Sequence, residues 1–228
     1  MKKIILPFII AATFISPLSA KTVDTVPETK AVASQISPQT VIDNYLAALG
    51  GKAKLEAVKT TLIENTMSVQ GMEIGMTTKK MGNKFKSEQS VMGQKMVQYF
   101  DGEKGYFEQA GQKMDIPADK IPELKKAKTI EALSYQASNF TSVTTEQIDG
   151  KTYHVLNSDK GKFAFDAATG LLYKSETKEG SAFIKSYMTV DGLKFPELIE
   201  AEGNGQKVSI KTVKVTLNSG VSDADFKI

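Results

Sequence analysis

The chain has 228 residues, a formal net charge of +3 and no cysteine, so disulfides and thiolate chemistry are excluded and the fold must rest on its apolar core. Every cation is a lysine, and acids nearly balance them. Nucleic acid is therefore not an expected partner, because neutralising phosphates needs a clear basic excess.

The sequence opens "MKKIILPFIIAATFISPLSAK". Lys2 and Lys3 precede an apolar run from Ile4 to Ile15, and Leu18-Ser19-Ala20 forms a small-residue exit. This pattern predicts a signal peptide over residues 1–20, cleaved near Ala20. The apolar run is short for a bilayer and Pro7 interrupts it, so no stable membrane insertion of the mature chain is expected. Residues 21–36 are polar and aperiodic, which predicts a flexible leader. Residues 37–228 suit a single domain.

"SPQTVIDNYLAALGG" predicts a helix, with Ser37 as cap, Pro38 in the first turn and Gly50 at the end. Val41, Ile42, Tyr45, Leu46 and Leu49 form one apolar stripe. "KAKLEAVKT" predicts a short second helix. From Thr60 the period changes to two, and five strand-length runs follow up to "GYFEQAG", each ending near a glycine. The segment "IPADKIPELKKAKTIEALSYQASNF" predicts a helical interruption carrying Ile121, Leu124, Ala127, Ile130 and Leu133 as its apolar stripe. Six further strands are predicted from "KTYHVLNS" to "KVSIKTVKVTLN". Asp101-Gly102, Asp149-Gly150 and Asp191-Gly192 mark hairpin turns. The fold class is α+β: a curved antiparallel sheet, with helices covering its concave face.

No catalytic or cofactor motif emerges, and no cofactor or metal is expected. His154 is the only histidine and stands in "KTYHVL", where a strand position accounts for it. "DGKT" at 149–152 imitates the end of a phosphate-binding loop, but Thr145 stands where that loop needs glycine. "FDAATG" has turn spacing and lacks the further oxygen ligands of a calcium loop.

Apolar surface is the remaining chemistry. Of nine methionines, all but Met1 and Met188 fall between residues 67 and 114, and this deformable side chain suits both irregular cores and variable apolar guests. Met72, Ile74, Met76, Phe85, Met96 and Phe100, with Tyr106, are predicted to share the concave face. Phe163 and Phe165, with Phe183, Tyr187 and Met188, are predicted to extend it. Leu124, Ile130 and Leu133 are the expected lid contacts. Such a face is either filled core or the wall of a cavity, and the pattern alone leaves both open.

"VIDNYLAALGGKAKLEAVKT", followed by the Met-rich strands and "FDGEKGYFEQAGQK", resembles a periplasmic module found alone or appended to insulinase-type zinc peptidases. "IDGKTYHVL", "FDAATGLLYK", "VDGLKFP" and "VSDADFKI" resemble the outer-membrane lipoprotein-sorting (LolA/LolB-like) fold. That resemblance implies an incomplete β-barrel with helices as a lid, located in the periplasm and holding acyl chains of a lipid or lipoprotein. A non-enzymatic binding protein is thus expected. The alternative is a non-catalytic interaction module docking to an envelope protein complex or to such a peptidase. The lipoprotein carrier closes its lid with an arginine, and this chain has none. The metal-binding histidine pair of the peptidases is absent too, so that resemblance brings no catalysis.

Overall fold

A computed structural model describes residues 36–203 and 205–227; the predicted signal peptide and nearly all of the leader lie outside them. Helix α1 (Pro38–Ala48) begins where expected: the Ser37 hydroxyl accepts from the Thr40 N–H at 3.1 Å. Its end is a two-glycine reversal. Gly51 N–H donates to Leu46 O at 2.9 Å and Gly50 N–H to Ala47 O at 3.0 Å, with both glycines at positive φ. Lys194 N–H then donates to Leu49 O at 2.9 Å, fastening the helix end to the sheet. Helix α2 (Lys52–Ala57) follows and buries Leu55.

Among the described residues, thirteen antiparallel strands form one sheet. The first arm is β1 (Thr60–Val69), β2 (Met72–Met81), β3 (Lys84–Val91), β4 (Gln94–Phe100), β5 (Gly105–Gln109) and β6 (Gln112–Asp115). The second is β7 (Ser142–Ile148), β8 (Lys151–Ser158), β9 (Gly161–Asp166), β10 (Leu172–Thr177), β11 (Gly180–Val190), β12 (Leu193–Gly203) and β13 (Gln206–Leu217). Each arm is a meander, and β1 pairs with β13 at the centre, so the order runs from β6 through β1 and β13 to β7. The two ends do not meet, and the sheet is an incomplete barrel. Register shifts at Glu64/Asn65, Leu172/Lys174 and around Ser186 mark bulges, which bend the strands that carry them.

Between the arms the chain crosses the concave face. The helical interruption predicted there holds only one turn of α-helix, α3 (Ile121–Leu124), followed by 3-10 turns at Glu131–Ser134 and Ala137–Asn139. Pro117 and Pro122 withhold backbone donors, and tertiary bonds replace helical ones. The Thr129 hydroxyl donates to Lys59 O at 3.1 Å and accepts from Gly82 N–H at 2.8 Å. Residues 125–141 are thus a strap tied to the start of β1 and to the β2–β3 turn.

The main core lies between the concave face and the roof made by α1, α2 and the strap. A second cluster joins Phe85, Phe100 and Ile116 beneath α3. On the convex side, a C-terminal 3-10 turn (Asp223–Phe226) presses Phe226 onto Val97 and Tyr99. Lys84 pairs with Asp223 at 2.7 Å and Lys79 with Asp225, which hold that turn in place.

Edge strands β6 and β7 were not predicted from sequence. β6 is exposed throughout and β7 nearly so, and without a buried face neither carries an alternating signal. Asp149-Gly150 and Asp191-Gly192 are two-residue turns with both residues at positive φ, as expected. Asp101 instead folds its carboxylate back, accepting from Glu103 N–H and Lys104 N–H at 2.8 Å each.

Candidate functional site

Cross-strand register sorts the predicted lining. Met67 opposes Ile74, Asn65 opposes Met76, Lys80 opposes Phe85, and Phe85 opposes Phe100, so these side chains share the concave face. Gln89 opposes Met96, which places Met96 there as well. In the second arm Leu156 opposes Phe163 and His154 opposes Phe165, giving the same face. Tyr106 and Phe183 lie on the convex side instead. Tyr106 opposes Tyr99 and stacks on it with ring centroids 5.0 Å apart, and Phe183 packs edge-on to Tyr173 at 5.9 Å. Met92 sits in the β3–β4 turn and is 89 % exposed, so the methionine cluster is not one surface.

Much of the concave face is filled. Phe165 contacts Tyr45 at 5.1 Å between centroids, Phe163 contacts Tyr135 at 5.6 Å, and Phe140 lies 5.9 Å from Phe163. This aromatic cluster closes the second arm against the roof. In the first arm Phe100 is wholly buried under Phe85 and Ile116, with Leu124 packed beside them.

Between these two packed regions is a cavity of about 200 Å³. Its floor is the seam of the sheet: Ile63 of β1, Met76 of β2, Phe85 of β3, Ile199 of β12, and Ile210 and Val215 of β13. Its roof is Tyr45 of α1 and Leu49 just past its end, together with Ile130, Ala132 and Tyr135 of the strap. Of the residues singled out from sequence, Met76, Phe85 and Ile130 reach this cavity. Ile74, Phe163 and Phe165 are core, Met96 is buried near Gln89, and Met72 is half-buried at the β1–β2 end. Leu124 covers Phe85 and Phe100, whereas Leu133 lines a separate outer groove.

That groove, about 830 Å³, runs between α1, α2 and the outer side of the strap. Ile42, Leu46, Val58 and Leu133 give it an apolar base, and Lys52, Lys59 and Lys128 stand along it. Thr129 and Tyr135 line both groove and cavity, so the strap is the wall between them.

The cavity also has a polar strip that sequence reading missed. Thr61 and Asn65 of β1, Thr78 and Lys80 of β2, Ser87 of β3 and Thr212 of β13 all line it. Thr78 and Ser87 hydroxyls share a hydrogen bond at 3.1 Å, and Thr212 donates to Pro196 O at 2.8 Å. Lys80 Nζ lies 3.5 Å from the Glu131 carboxylate of the strap. Burial raises the Glu131 carboxyl above its usual range, with Lys80 opposing the rise. Burial likewise raises the phenols of Tyr45, Tyr135 and Tyr187, which remain protonated donors. The available signal was the alternation Thr61-Ile63-Asn65 on β1, where polar residues occupy positions on a strand face that should be apolar.

Among the described residues, no three or more His, Asp or Glu side chains converge, and no helix is long and apolar enough to cross a membrane. His154 Nδ1 is 3.4 Å from the Thr145 hydroxyl on the neighbouring edge strand.

No family model and no curated protein sequence matches the chain. Solved structures do. A DUF1329 family protein from Desulfovibrio piger aligns with TM-score 0.54 at 12% identity, covering 84% of this chain and 98% of that one. A putative outer membrane lipoprotein-sorting protein domain from Vibrio parahaemolyticus aligns with TM-score 0.52 at 11% identity, over 81% of this chain and 97% of that one. A LolA superfamily protein from Nitrosomonas europaea aligns with TM-score 0.52 at 13% identity, over 85% of this chain and 98% of that one. The fold is LolA-like.

Proposed function

We propose that this protein is a non-enzymatic periplasmic carrier that shelters an apolar chain of a lipid or lipoprotein beneath its strap. The carrying observation is the cavity at the sheet seam, roofed by α1 and the strap in a LolA-like fold. One structural neighbour is described as an outer membrane lipoprotein-sorting domain, which accords with this reading.

Size sets the terms of binding. A cavity of about 150 Å³ accommodates benzene, so about 200 Å³ takes about eight non-hydrogen atoms. Burying six methylenes there gains on the order of 5 kcal/mol at about 0.8 kcal/mol each, before the costs of binding. A longer chain passes Tyr135 into the outer groove, whose base is apolar. The lysines along that groove then meet an anionic head group at the surface.

Native mass spectrometry of the protein purified from its own host's periplasm tests this, followed by lipid extraction. The expected result is an acyl-chain adduct that a competing lipid displaces. A bare mass that stays bare when challenged with fatty acids, phospholipids and lipopeptides sinks the carrier reading. An interaction module would then be the better description.

A further inference from the structure

The seam cavity has an ion pair in its wall. Lys80 of β2 and Glu131 of the strap both line it, with the lysine Nζ 3.5 Å from the carboxylate. Lys194 is a further lining cation, so the wall carries two lysines against one acid. A mainly apolar cavity gains little stability from such a pair, because well-packed apolar residues of similar volume do as well or better.

The pair is also slack. An ammonium and a carboxylate in a charge-assisted contact close to about 2.8 Å. Other pairs in this protein reach that range, Lys84 with Asp223 at 2.7 Å and Lys160 with Glu123 at 2.6 Å. Neither partner of the looser pair is sealed, since Lys80 is 21 % accessible and Glu131 28 %. Lys80 therefore holds a three-donor ammonium beside the hollow, and among the described residues no second acid pairs with it. With room for about eight non-hydrogen atoms, the cavity takes a carboxylate and a short stretch of chain, whereas a bulkier head group stays at the groove.

We infer that the seam cavity accepts a free fatty acid carboxylate-first, the guest carboxylate replacing Glu131 at Lys80 and its chain running past Tyr135 into the groove. This rests on the carrier reading and deepens it: the acid end of a single chain is the group recognised. The exchange balances in charge. Glu131 leaves Lys80 as the neutral acid, its proton coming from the guest acid or from water, and the guest carboxylate takes over the ion pair. Burial already raises the Glu131 carboxyl above its usual range, so it takes that proton more readily than an exposed acid. Tyr45 and Tyr135 beside it stay protonated and add no charge.

Hexanoate, hexanamide and 1-hexanol, titrated by NMR at neutral pH, test this in wild type, in Glu131→Gln and in a Lys80→Met/Glu131→Gln double variant. The double variant removes the pair whole, so no buried charge is left unpartnered and the protein still folds. Hexanoate is expected to bind wild type about tenfold more tightly than hexanamide, the size of one hydrogen bond to a charged group. Glu131→Gln removes the competitor and should tighten hexanoate further while leaving hexanamide and hexanol unchanged. The double variant should lose the hexanoate preference and keep its affinity for hexanol. Hexanamide matching hexanoate in wild type, a Glu131→Gln variant that binds hexanoate no better, or a preference that survives in the double variant overturns the proposal and spares the carrier reading. Failure of all three probes to bind overturns both.

Discussion

Glu131 is the residue on which the strap's electrostatics turn. Its side chain is 28 % accessible, it lines the cavity, and its partner Lys80 stands on β2, so the ion pair joins roof to floor. Burial raises its pKa on folding, which means the folded protein holds that proton more tightly than the unfolded chain. The stability from this group is therefore full below the unfolded value and lost as pH rises through the folded value. Wild type should gain stability relative to Glu131→Gln when pH falls from about 7 to about 5, measured by urea unfolding at each pH. A difference that stays flat across that window contradicts the assignment. At this scale the sequence was only partly legible. Alternation placed Met76 and Phe85 on the correct face, but that face is both core and cavity wall. Which residues meet the hollow depends on where Phe165 and Phe100 fill the space, a packing outcome that no local pattern encodes.

The elements show why some signals were readable. The α1 cap, the change of period at Thr60 and the Asp-Gly turns each have a local cause, and each element formed as expected. The strap and the two edge strands do not: the Thr129 hydroxyl ties the strap to distant Lys59 and Gly82, and the exposed edge strands lack a buried face to alternate. The β3–β4 hairpin illustrates a local conflict. Met92 adopts φ +51° ahead of Gly93 at φ +78°, a turn that favours asparagine in the first position. Left-handed backbone costs an ordinary residue about 1 kcal/mol, and here no packing of the methionine side chain offsets it, since Met92 is exposed. Met92→Asn should therefore stabilise the protein by about 1 kcal/mol in thermal or urea melts, and leave binding of an apolar probe unchanged. A loss of binding would return Met92 to the site.

Among the described residues, the two meanders pair with each other only where β1 meets β13. The α+β class and the curved antiparallel sheet were legible because most strands alternate, and the half-barrel form was implied by the family resemblance, yet the seam was not legible, since its pairing spans from Thr61 to Leu217. Three cavity residues, Ile210, Thr212 and Val215, come from β13 alone. A chain ending at Gly203 is expected to lose its cooperative urea transition by circular dichroism, because the seam and the lower core go with that strand. A sharp transition at the full-length midpoint would show the arms to be self-sufficient.

The seam also sets an order of events during synthesis. The ribosome delivers β1 early and β13 after every other strand, so hairpins on both sides can close while the centre stands open. Until then β1 and β12 each present an unpaired edge, and the roof residues of α1 have no floor opposite them. The seam cavity therefore has no counterpart in the nascent chain, because its β13 wall, with Ile210, Thr212 and Val215, arrives after every other strand.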